Sequence, residues 1–236
     1  MSNGWVESAG AWIADMGDVG DFGRRFVLDR PMMERVQAGT FADALDVGCG
    51  EGRFCRMLQE VGLRTIGIDP TEALLDEARR RDPDGGYQLA RAEDLPFEDT
   101  SFDLVVSYLT LIDIADAATA IAEMSRVLRP GGALLIANLN SFTTAAMPSG
   151  WHQCTDGRTR YCFDDYMDER AEWVGWRGIR IENWHRPTSA YMKLLLGQGL
   201  ILTWFDEPEP QGGDEALRRK YRRAPHFYMM EWRKPV

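Results

Sequence analysis

Short apolar runs alternate with amphipathic segments from about residue 42 onward. The apolar runs predict five strands, at residues 44–47, 65–68, 87–89, 102–107 and 133–137. Apolar residues at helical spacing predict helices between them, at residues 53–61, 71–81 and 116–128. The run at 102–107 is almost continuously apolar, which is typical of a strand buried on both faces. The alternation predicts an α/β fold in which helices cover both faces of a mostly parallel sheet.

Two stretches depart from this alternation. Residues 1–40 place apolar residues such as Trp12 and Met16 at helical spacing, and we expect an N-terminal helical segment there. Residues 140–178 are rich in Trp, Asp, Tyr and Gly, and we expect an inserted cap over 140–184. The remaining chain, 185–236, predicts the end of the sheet: a helix at 187–197 and strands at 200–205 and 227–232, with a polar loop at 206–214. The whole is expected to be one domain, 1–236, with a core at 41–139.

Charge narrows the classes of partner. The formal net charge is −10, whereas phosphate backbones are bound by clustered Lys and Arg. We therefore expect no nucleic-acid partner and no membrane partner, with 217–223 as the only basic cluster. No apolar run approaches the roughly 20 residues of a membrane span, and the first ten residues lack the pattern of a secretory signal. A cytoplasmic protein is the expectation.

The four cysteines are expected to be reduced thiols in that compartment. Cys154 and Cys162 could also face each other across a hairpin, so a disulfide between them is the alternative. Neither Cys49 with Cys55 nor Cys154 with Cys162 has the close spacing of a zinc site. We expect no metal.

The segment 46–52 reads D-V-G-C-G-E-G and lies between the first predicted strand and the first predicted helix of the core. Glycine allows a tight turn and lets a ligand approach the main chain. Ligands of open parallel sheets bind at the carboxyl ends of the strands. The segment therefore predicts a ligand-binding loop that contains Asp46, Gly48, Cys49, Gly50 and Gly52.

An acidic residue also ends the second predicted strand, where Asp69 is followed by Pro70. A carboxylate at that place can accept hydrogen bonds from both vicinal hydroxyls of a ribose. An isolated Asp would more often cap a helix. Asp69, however, follows Gly50 by 19 residues, close to the roughly 20 expected of a nucleoside-binding unit.

Three further motifs follow in order: A-E-D-L-P-F at 92–97, S-F-D-L-V at 101–105 and V-L-R-P-G-G at 127–132. With the glycine loop and Asp69, the chain resembles the class I S-adenosylmethionine-dependent methyltransferases, in the type 11 branch related to the ubiquinone and menaquinone methyltransferases. The resemblance covers about residues 41–138. It implies a seven-stranded Rossmann-like sandwich with strand order 3-2-1-4-5-7-6 and an antiparallel seventh strand.

The resemblance implies a role for each matching residue. Asp46 would lie near the methionine amino group of S-adenosylmethionine, and Ser107 would offer its backbone near the same portion. The glycines of 48–52 would pass under the methionine and the ribose, and Asp69 would take the ribose hydroxyls.

Adenine contacts are implied for the motif after the third strand. Ala92 would offer backbone hydrogen bonds to the adenine edge. Many relatives carry Asp where this chain has Arg91, so the contact to the adenine amino group falls to Glu93 or Asp94, and the resemblance leaves both open.

The expected function is transfer of a methyl group to O, N or C of a small-molecule acceptor, with S-adenosylhomocysteine as product. A non-catalytic module that binds the same cofactor is the second hypothesis. A nicotinamide-dependent oxidoreductase is the third, but its G-x-G-x-x-G fingerprint would require Gly at the position of Arg53.

A general base is required only if the acceptor keeps its proton at neutral pH. The candidates are His185 before a predicted helix, Asp113 after the fourth strand and His152 in the cap, with His226 as the remaining histidine. Each could instead make only a structural hydrogen bond. The aromatic residues of the cap could likewise line an acceptor pocket or only pack the cap onto the core.

Overall fold

The computed structural model describes residues 3–147 and 150–236. Residues 1 and 2 of the predicted N-terminal segment, and residues 148 and 149 of the predicted cap, lie outside that part. Helices α1 to α8 span Trp5–Met16, Asp29–Ala38, Arg53–Glu60, Glu72–Arg81, Ala117–Val127, Ser141–Ala145, Thr188–Gly197 and Glu215–Arg223. Strands β1 to β11 span Asp43–Val47, Arg64–Asp69, Gly86–Leu89, Phe102–Tyr108, Leu128–Leu139, Trp151–Gln153, Thr159–Tyr161, Arg170–Trp176, Ile179–His185, Ile201–Asp206 and Phe227–Arg233.

Seven strands form one sheet in the order β10-β11-β5-β4-β1-β2-β3. Strands β1 to β5 are parallel, and β11 pairs antiparallel with both β5 and β10. When only the strands of this sheet are numbered, the order is 3-2-1-4-5-7-6, with an antiparallel seventh strand. The predicted fold class is therefore confirmed.

The two faces of the sheet are buried under different helices. Side chains alternate between the faces along a strand, so Val105 of β4 packs in one cluster with Ile121 of α5. Leu104 and Val106 point to the opposite face and pack in a second cluster with Leu58 of α3 and with α2. This arrangement explains why the 102–107 segment is apolar at nearly every position.

Helix α8 is the main element that the hydrophobic pattern did not predict. Its nine residues bury no side chain, so no apolar face marks it in the sequence. Asp214 caps the helix by accepting the backbone N–H of Leu217 at 2.9 Å, and this capping residue is the available signal. No helix in the described part of the chain is long and apolar enough to cross a membrane.

The cap consists of two antiparallel hairpins, β6-β7 and β8-β9. Cys154 and Cys162 flank the first hairpin, and both are free thiols. The second hairpin packs on the N-terminal segment, because Ile179 and Ile181 of β9 share a buried cluster with Trp12 of α1. Helix α1 and the cap therefore lie together against the same edge of the sheet.

Candidate functional site

The loop between β1 and α3 is tied to the end of β2. The backbone N–H groups of Gly48 and Cys49 both donate to the carbonyl oxygen of Ile68, at 2.8 and 2.9 Å. Gly48 has a φ of +76°, in the left-handed region that favours glycine. A Cβ at this position would lie 2.2 Å from a side-chain atom of Thr110. Gly48 is therefore required both by its backbone conformation and by the contact with Thr110.

Asp69 lies at the carboxyl end of β2 and is held by the main chain. One carboxylate oxygen accepts the backbone N–H of Gly50 at 3.0 Å, and the other accepts that of Thr71 at 2.8 Å. The residue is buried, and burial raises the pKa of Asp69 to about 6 against the effect of these hydrogen bonds. The carboxylate is thus oriented while each oxygen keeps a lone pair for a ligand.

Asp46 is buried at the end of β1, directly beneath the glycine loop. Its Oδ2 accepts a hydrogen bond from the Cys55 thiol at 3.4 Å, and its Oδ1 has no partner among the described residues. Burial raises the pKa of Asp46 to about 7, and the negative charges of Asp69 and Glu51 raise it further. A buried carboxyl oxygen without a partner is a group that a hydrogen-bond donor or a cation would satisfy.

A cleft of about 850 Å³ runs along the carboxyl edge of the sheet. The cleft lies where open parallel sheets bind their ligands. The structure brings six of the predicted cofactor residues together on its wall: Gly48, Gly50, Asp69, Pro70, Ala92 and Glu93.

Other predicted cofactor residues lie behind this wall. Cys49 is buried in a small cluster with Cys55, and burial raises the pKa of its thiol to about 11. Gly52 lies against the ring of Tyr87, and Ser107 is fully buried in β4. Cys49, Gly52 and Ser107 do not line the cleft, and neither does Asp46, so the roles of these four residues stay predictions.

The two candidates for the adenine contact differ in position. Glu93 lines the cleft and is paired with Arg91, whose Nη2 lies 2.9 Å from Glu93 Oε1. Asp94 is exposed and outside the cleft, in an isolated bridge with Arg91. Of these two carboxylates, Glu93 is therefore the one that lines the cleft.

The second half of the cleft has aromatic walls contributed by the cap. The rings of Trp151 and Tyr161 meet edge to face with centroids 5.0 Å apart. Met147 of the cap lines the same region, as do Tyr221 of α8 and His226 just before β11. Trp151, Tyr161 and Trp176 therefore form part of the cavity wall, whereas Phe163, Tyr166 and Trp173 lie outside it.

Asp113 is the predicted catalytic residue that reaches the cleft. It ends the 3₁₀ turn Leu111–Asp113 after β4, and its Oδ1 accepts a hydrogen bond from Nδ2 of Asn183 at 2.5 Å. Burial raises the pKa of Asp113 well above its ordinary value, and the Asn183 hydrogen bond opposes that shift. Its partner comes from β9 of the cap, so this contact joins the cap to the core.

The structure does not bring His185 or His152 to the cleft. His185 is buried, and its two ring nitrogens lie 2.7 Å from Thr144 Oγ1 and 2.9 Å from the carbonyl oxygen of Tyr166. His152 is exposed on β6. The geometry gives His185 a structural hydrogen-bond network on both sides of its ring.

Residues of the N-terminal segment also line the cleft, and sequence reasoning missed this. Trp5, Trp12 and Arg24 contribute to its wall. The helical spacing marked Trp12 as part of an apolar face, but no local signal indicated which surface that face would cover. His226, which the sequence places just before the last strand, also lines the cleft.

Comparisons with known proteins agree with this geometry. Residues 45–136 match a family model of the type 11 methyltransferases, described as a methyltransferase domain. A malonyl-[acyl-carrier protein] O-methyltransferase from Serratia marcescens is 37% identical over 109 residues, which are 46% of this chain and 43% of that protein. The corresponding protein of Salmonella typhimurium is 31% identical over 166 residues, 67% of this chain and 65% of that one. The chain therefore spans less than two thirds of the length of these relatives.

Similarity to solved structures extends over more of the chain. An S-adenosylmethionine-dependent methyltransferase from Mesorhizobium loti superposes with a TM-score of 0.76 at 26% sequence identity. The superposition covers 86% of this chain and 96% of the other. From the sheet order, the glycine loop, the position of Asp69 and these similarities we conclude that the chain belongs to the class I S-adenosylmethionine-dependent methyltransferases, in the type 11 branch.

Proposed function

We propose that this protein transfers the methyl group of S-adenosylmethionine to a small-molecule acceptor and releases S-adenosylhomocysteine. The main support for this proposal is the position of the Asp69 carboxylate. This buried carboxylate is oriented by two backbone N–H groups and lies on the wall of the cleft beside Gly48 and Gly50. This is the chemistry that two vicinal hydroxyls require.

Other residues on this wall of the cleft, and Asp46 buried behind it, fit the same cofactor. The unpartnered Oδ1 of Asp46 provides an acceptor for an ammonium group near the glycine loop. Gly50 leaves the main chain open to close approach, and Ile68 with Leu74 offers apolar surface to a base. Glu93 would accept from the adenine amino group.

The cofactor, when bound, supplies a methyl group on a positively charged sulfur that leaves as a neutral thioether. The chain itself aligns the acceptor and excludes water, which are the contributions that such a displacement needs from a protein. The aromatic walls of Trp151 and Tyr161 serve both purposes.

A small molecule is the proposed acceptor because the second half of the cleft is bounded by the cap and α8. The named relatives act on a malonyl group attached to a carrier protein. An acceptor bound to a carrier protein is therefore the second acceptor class to test. The four free thiols fit a reducing compartment, so the cytoplasm is part of the proposal.

Calorimetric titration tests the cofactor, and release of S-adenosylhomocysteine in the presence of acceptors tests the reaction. We expect micromolar binding of S-adenosylmethionine and S-adenosylhomocysteine, and no binding of NAD. Binding without turnover for any acceptor class would instead support a non-catalytic module. Binding of NAD alone would contradict the family assignment of the loop.

A further inference from the structure

The inference concerns the acceptor half of the cleft and rests on the proposed function. We use the name acceptor chamber for the region lined by Met147, Trp151, Tyr161, Tyr221 and His226. These five side chains are aromatic or apolar apart from the imidazole, and Lys220 and Asp21 line the cleft as charged residues. His226 is the only histidine among the described residues of this chamber, and the proposed function assigns it no role.

The topology places His226 at the edge of the sheet where the ligand site lies. Strand β11 runs antiparallel to β5, and Phe227 at its start pairs with Leu139 at the end of β5. The end of β5 lies beside the end of β4, which in turn lies beside the end of β1 at Val47. Adjacent strands are about 4.8 Å apart. His226 is therefore about three strand spacings from the glycine loop, along the same edge.

Aromatic neighbours pack against the imidazole of His226 but do not bond to its ring nitrogens. Its ring contacts Phe227 edge to face at a centroid distance of 4.9 Å and Tyr221 at 5.3 Å. The backbone carbonyl of His226 accepts the N–H of Asn140 at 2.9 Å. In the described chain no hydrogen bond engages either ring nitrogen, in contrast with the ring of His185, which is bonded on both sides.

The surroundings keep this imidazole neutral. Burial lowers the pKa of His226 to about 4, and the positive charge of Lys220 on α8 acts in the same direction. Asp21, in the segment between α1 and α2, opposes the shift, and Tyr221 is the other titratable group against the ring. A neutral imidazole at physiological pH offers one nitrogen lone pair to a proton donor.

We propose that the acceptor is a flat aromatic compound with an un-ionised hydroxyl group, and that His226 accepts the proton of that hydroxyl during methyl transfer. The oxygen forms a bond to the methyl carbon while the carbon–sulfur bond breaks, and the bonding pair stays on sulfur. The hydroxyl proton moves to the free ring nitrogen of His226. The imidazolium then returns the proton to solvent.

The chamber and His226 together favour this class over a carboxylate. Aromatic side chains such as Trp151 and Tyr161 contact flat rings over a large area. A carboxylate is already ionised at neutral pH and would have no proton for His226.

The test uses catechol as the acceptor probe and the full chain with S-adenosylmethionine. His226→Gln keeps the size and polarity of the side chain but removes the base. His152→Gln is the matched control, because it changes an exposed histidine outside the cleft. S-Adenosylmethionine affinity is measured for all three proteins by calorimetry. Proton NMR of the histidine rings follows catechol binding without any turnover.

We expect His226→Gln to lower the turnover of catechol at neutral pH by about tenfold or more, which is less than for a base whose pKa lies near the working pH. Cofactor affinity should stay within about twofold of wild type, and His152→Gln should behave as wild type. Turnover of 4-nitrocatechol, whose hydroxyl is far more acidic, should fall much less in His226→Gln. The variant's rate with catechol should rise about tenfold per pH unit above neutrality, whereas the wild-type rate stays flat because the imidazole is already neutral.

Equal losses for both catechols, or a pH profile parallel to that of the wild type, would overturn the role of His226. Failure of catechol to shift the His226 resonance, or to be methylated by a wild-type protein that binds S-adenosylmethionine, would overturn the acceptor class. Failure to bind S-adenosylmethionine at all would instead contradict the proposed function, so the two failures are distinguishable.

Discussion

The indole Nε1 of Trp12 donates a hydrogen bond to Oε2 of Glu51 at 2.9 Å, and so joins α1 to the glycine loop. Glu51 is only 4% exposed. The guanidinium of Arg24 lies 4.8 Å from the centroid of the Trp12 ring, on the same wall of the cleft. The N-terminal segment is therefore part of the site, although it lies outside the residues that match the family model.

Removal of this hydrogen bond should destabilise the protein. Trp12→Phe leaves the buried Glu51 carboxylate without its donor, which costs about 1–3 kcal/mol. We expect a lower denaturation midpoint and weaker binding of S-adenosylmethionine. Trp173→Phe is the control, because Trp173 is 42% exposed and lies outside the cleft. Equal effects of the two substitutions would argue against the role of the Trp12–Glu51 contact.

Cofactor binding should depend on Asp69. Asp69→Ala would leave two hydroxyls of a bound ribose without their acceptor, and we expect the dissociation constant for S-adenosylmethionine to rise more than about tenfold. Asp76→Ala on α4 provides a control, since that carboxylate is 68% exposed. Calorimetry measures both. An unchanged affinity in Asp69→Ala would remove the ribose assignment.

Stability of the free protein should depend on pH through Asp46. Burial raises the pKa of Asp46 to about 7, above its value of about 3.9 in an unfolded chain. The protonated form is therefore favoured by folding, and its contribution is complete below about pH 4 and lost as the pH rises through 7. Asp46→Asn should gain stability relative to wild type as the pH rises from about 5 to about 8. Denaturant titrations across this range measure the difference, and a pH-independent difference would contradict it.

The same titration predicts a pH dependence of binding. A cation next to Asp46 favours the ionised carboxylate, so S-adenosylmethionine should bind more tightly as the pH rises from about 5.5 to about 7.5. Calorimetry in buffers of different ionisation enthalpy should detect proton release on binding. Absence of both effects in wild type would contradict the linkage. Their persistence in Asp46→Asn would assign the linkage to another group.

Alanine substitutions at Gly48 and Gly62 should distinguish the cost of a left-handed backbone from the cost of a steric clash. Gly48 and Gly62 both have positive φ, of +76° and +91°. A Cβ at Gly62 would meet no atom within 4 Å, whereas one at Gly48 would meet Thr110 at 2.2 Å. Gly62→Ala should cost only the left-handed conformation, about 1–2 kcal/mol. Gly48→Ala should cost more and should also weaken cofactor binding. Thermal unfolding and calorimetry compare them, and equal costs would contradict the steric argument.

His185 is expected to act in stability rather than in catalysis. His185→Gln disturbs the contacts with Thr144 and the Tyr166 carbonyl, which should lower the free energy of unfolding by about 1–3 kcal/mol. Turnover at saturating acceptor should stay within about threefold of wild type at a temperature where both are folded. A loss of several hundredfold without loss of stability would restore His185 as a catalytic candidate.

Much of the core was predictable because its signals are local. The apolar runs of β1, β2 and β4 and the glycines between β1 and α3 are short-range features, and their order along the chain indicated the parallel sheet. Asp46 and Asp69 were found because strand ends and loop glycines stand at characteristic spacing. The strand order itself came from the resemblance, since periodicity does not determine which strands are neighbours.

The other walls of the cleft were not predictable in the same way. Trp12, Asn183 and His226 line the cleft from α1, β9 and the segment just before β11, and no spacing along the chain encodes those positions. His185 and His226 both precede a regular element and are similar in sequence context. Only tertiary packing surrounded one with hydrogen-bond partners and left the ring nitrogens of the other free, because burial and partners depend on contacts between distant segments. The sequence by itself determined the sheet and the cofactor loop, and long-range packing decided which side chains face the acceptor.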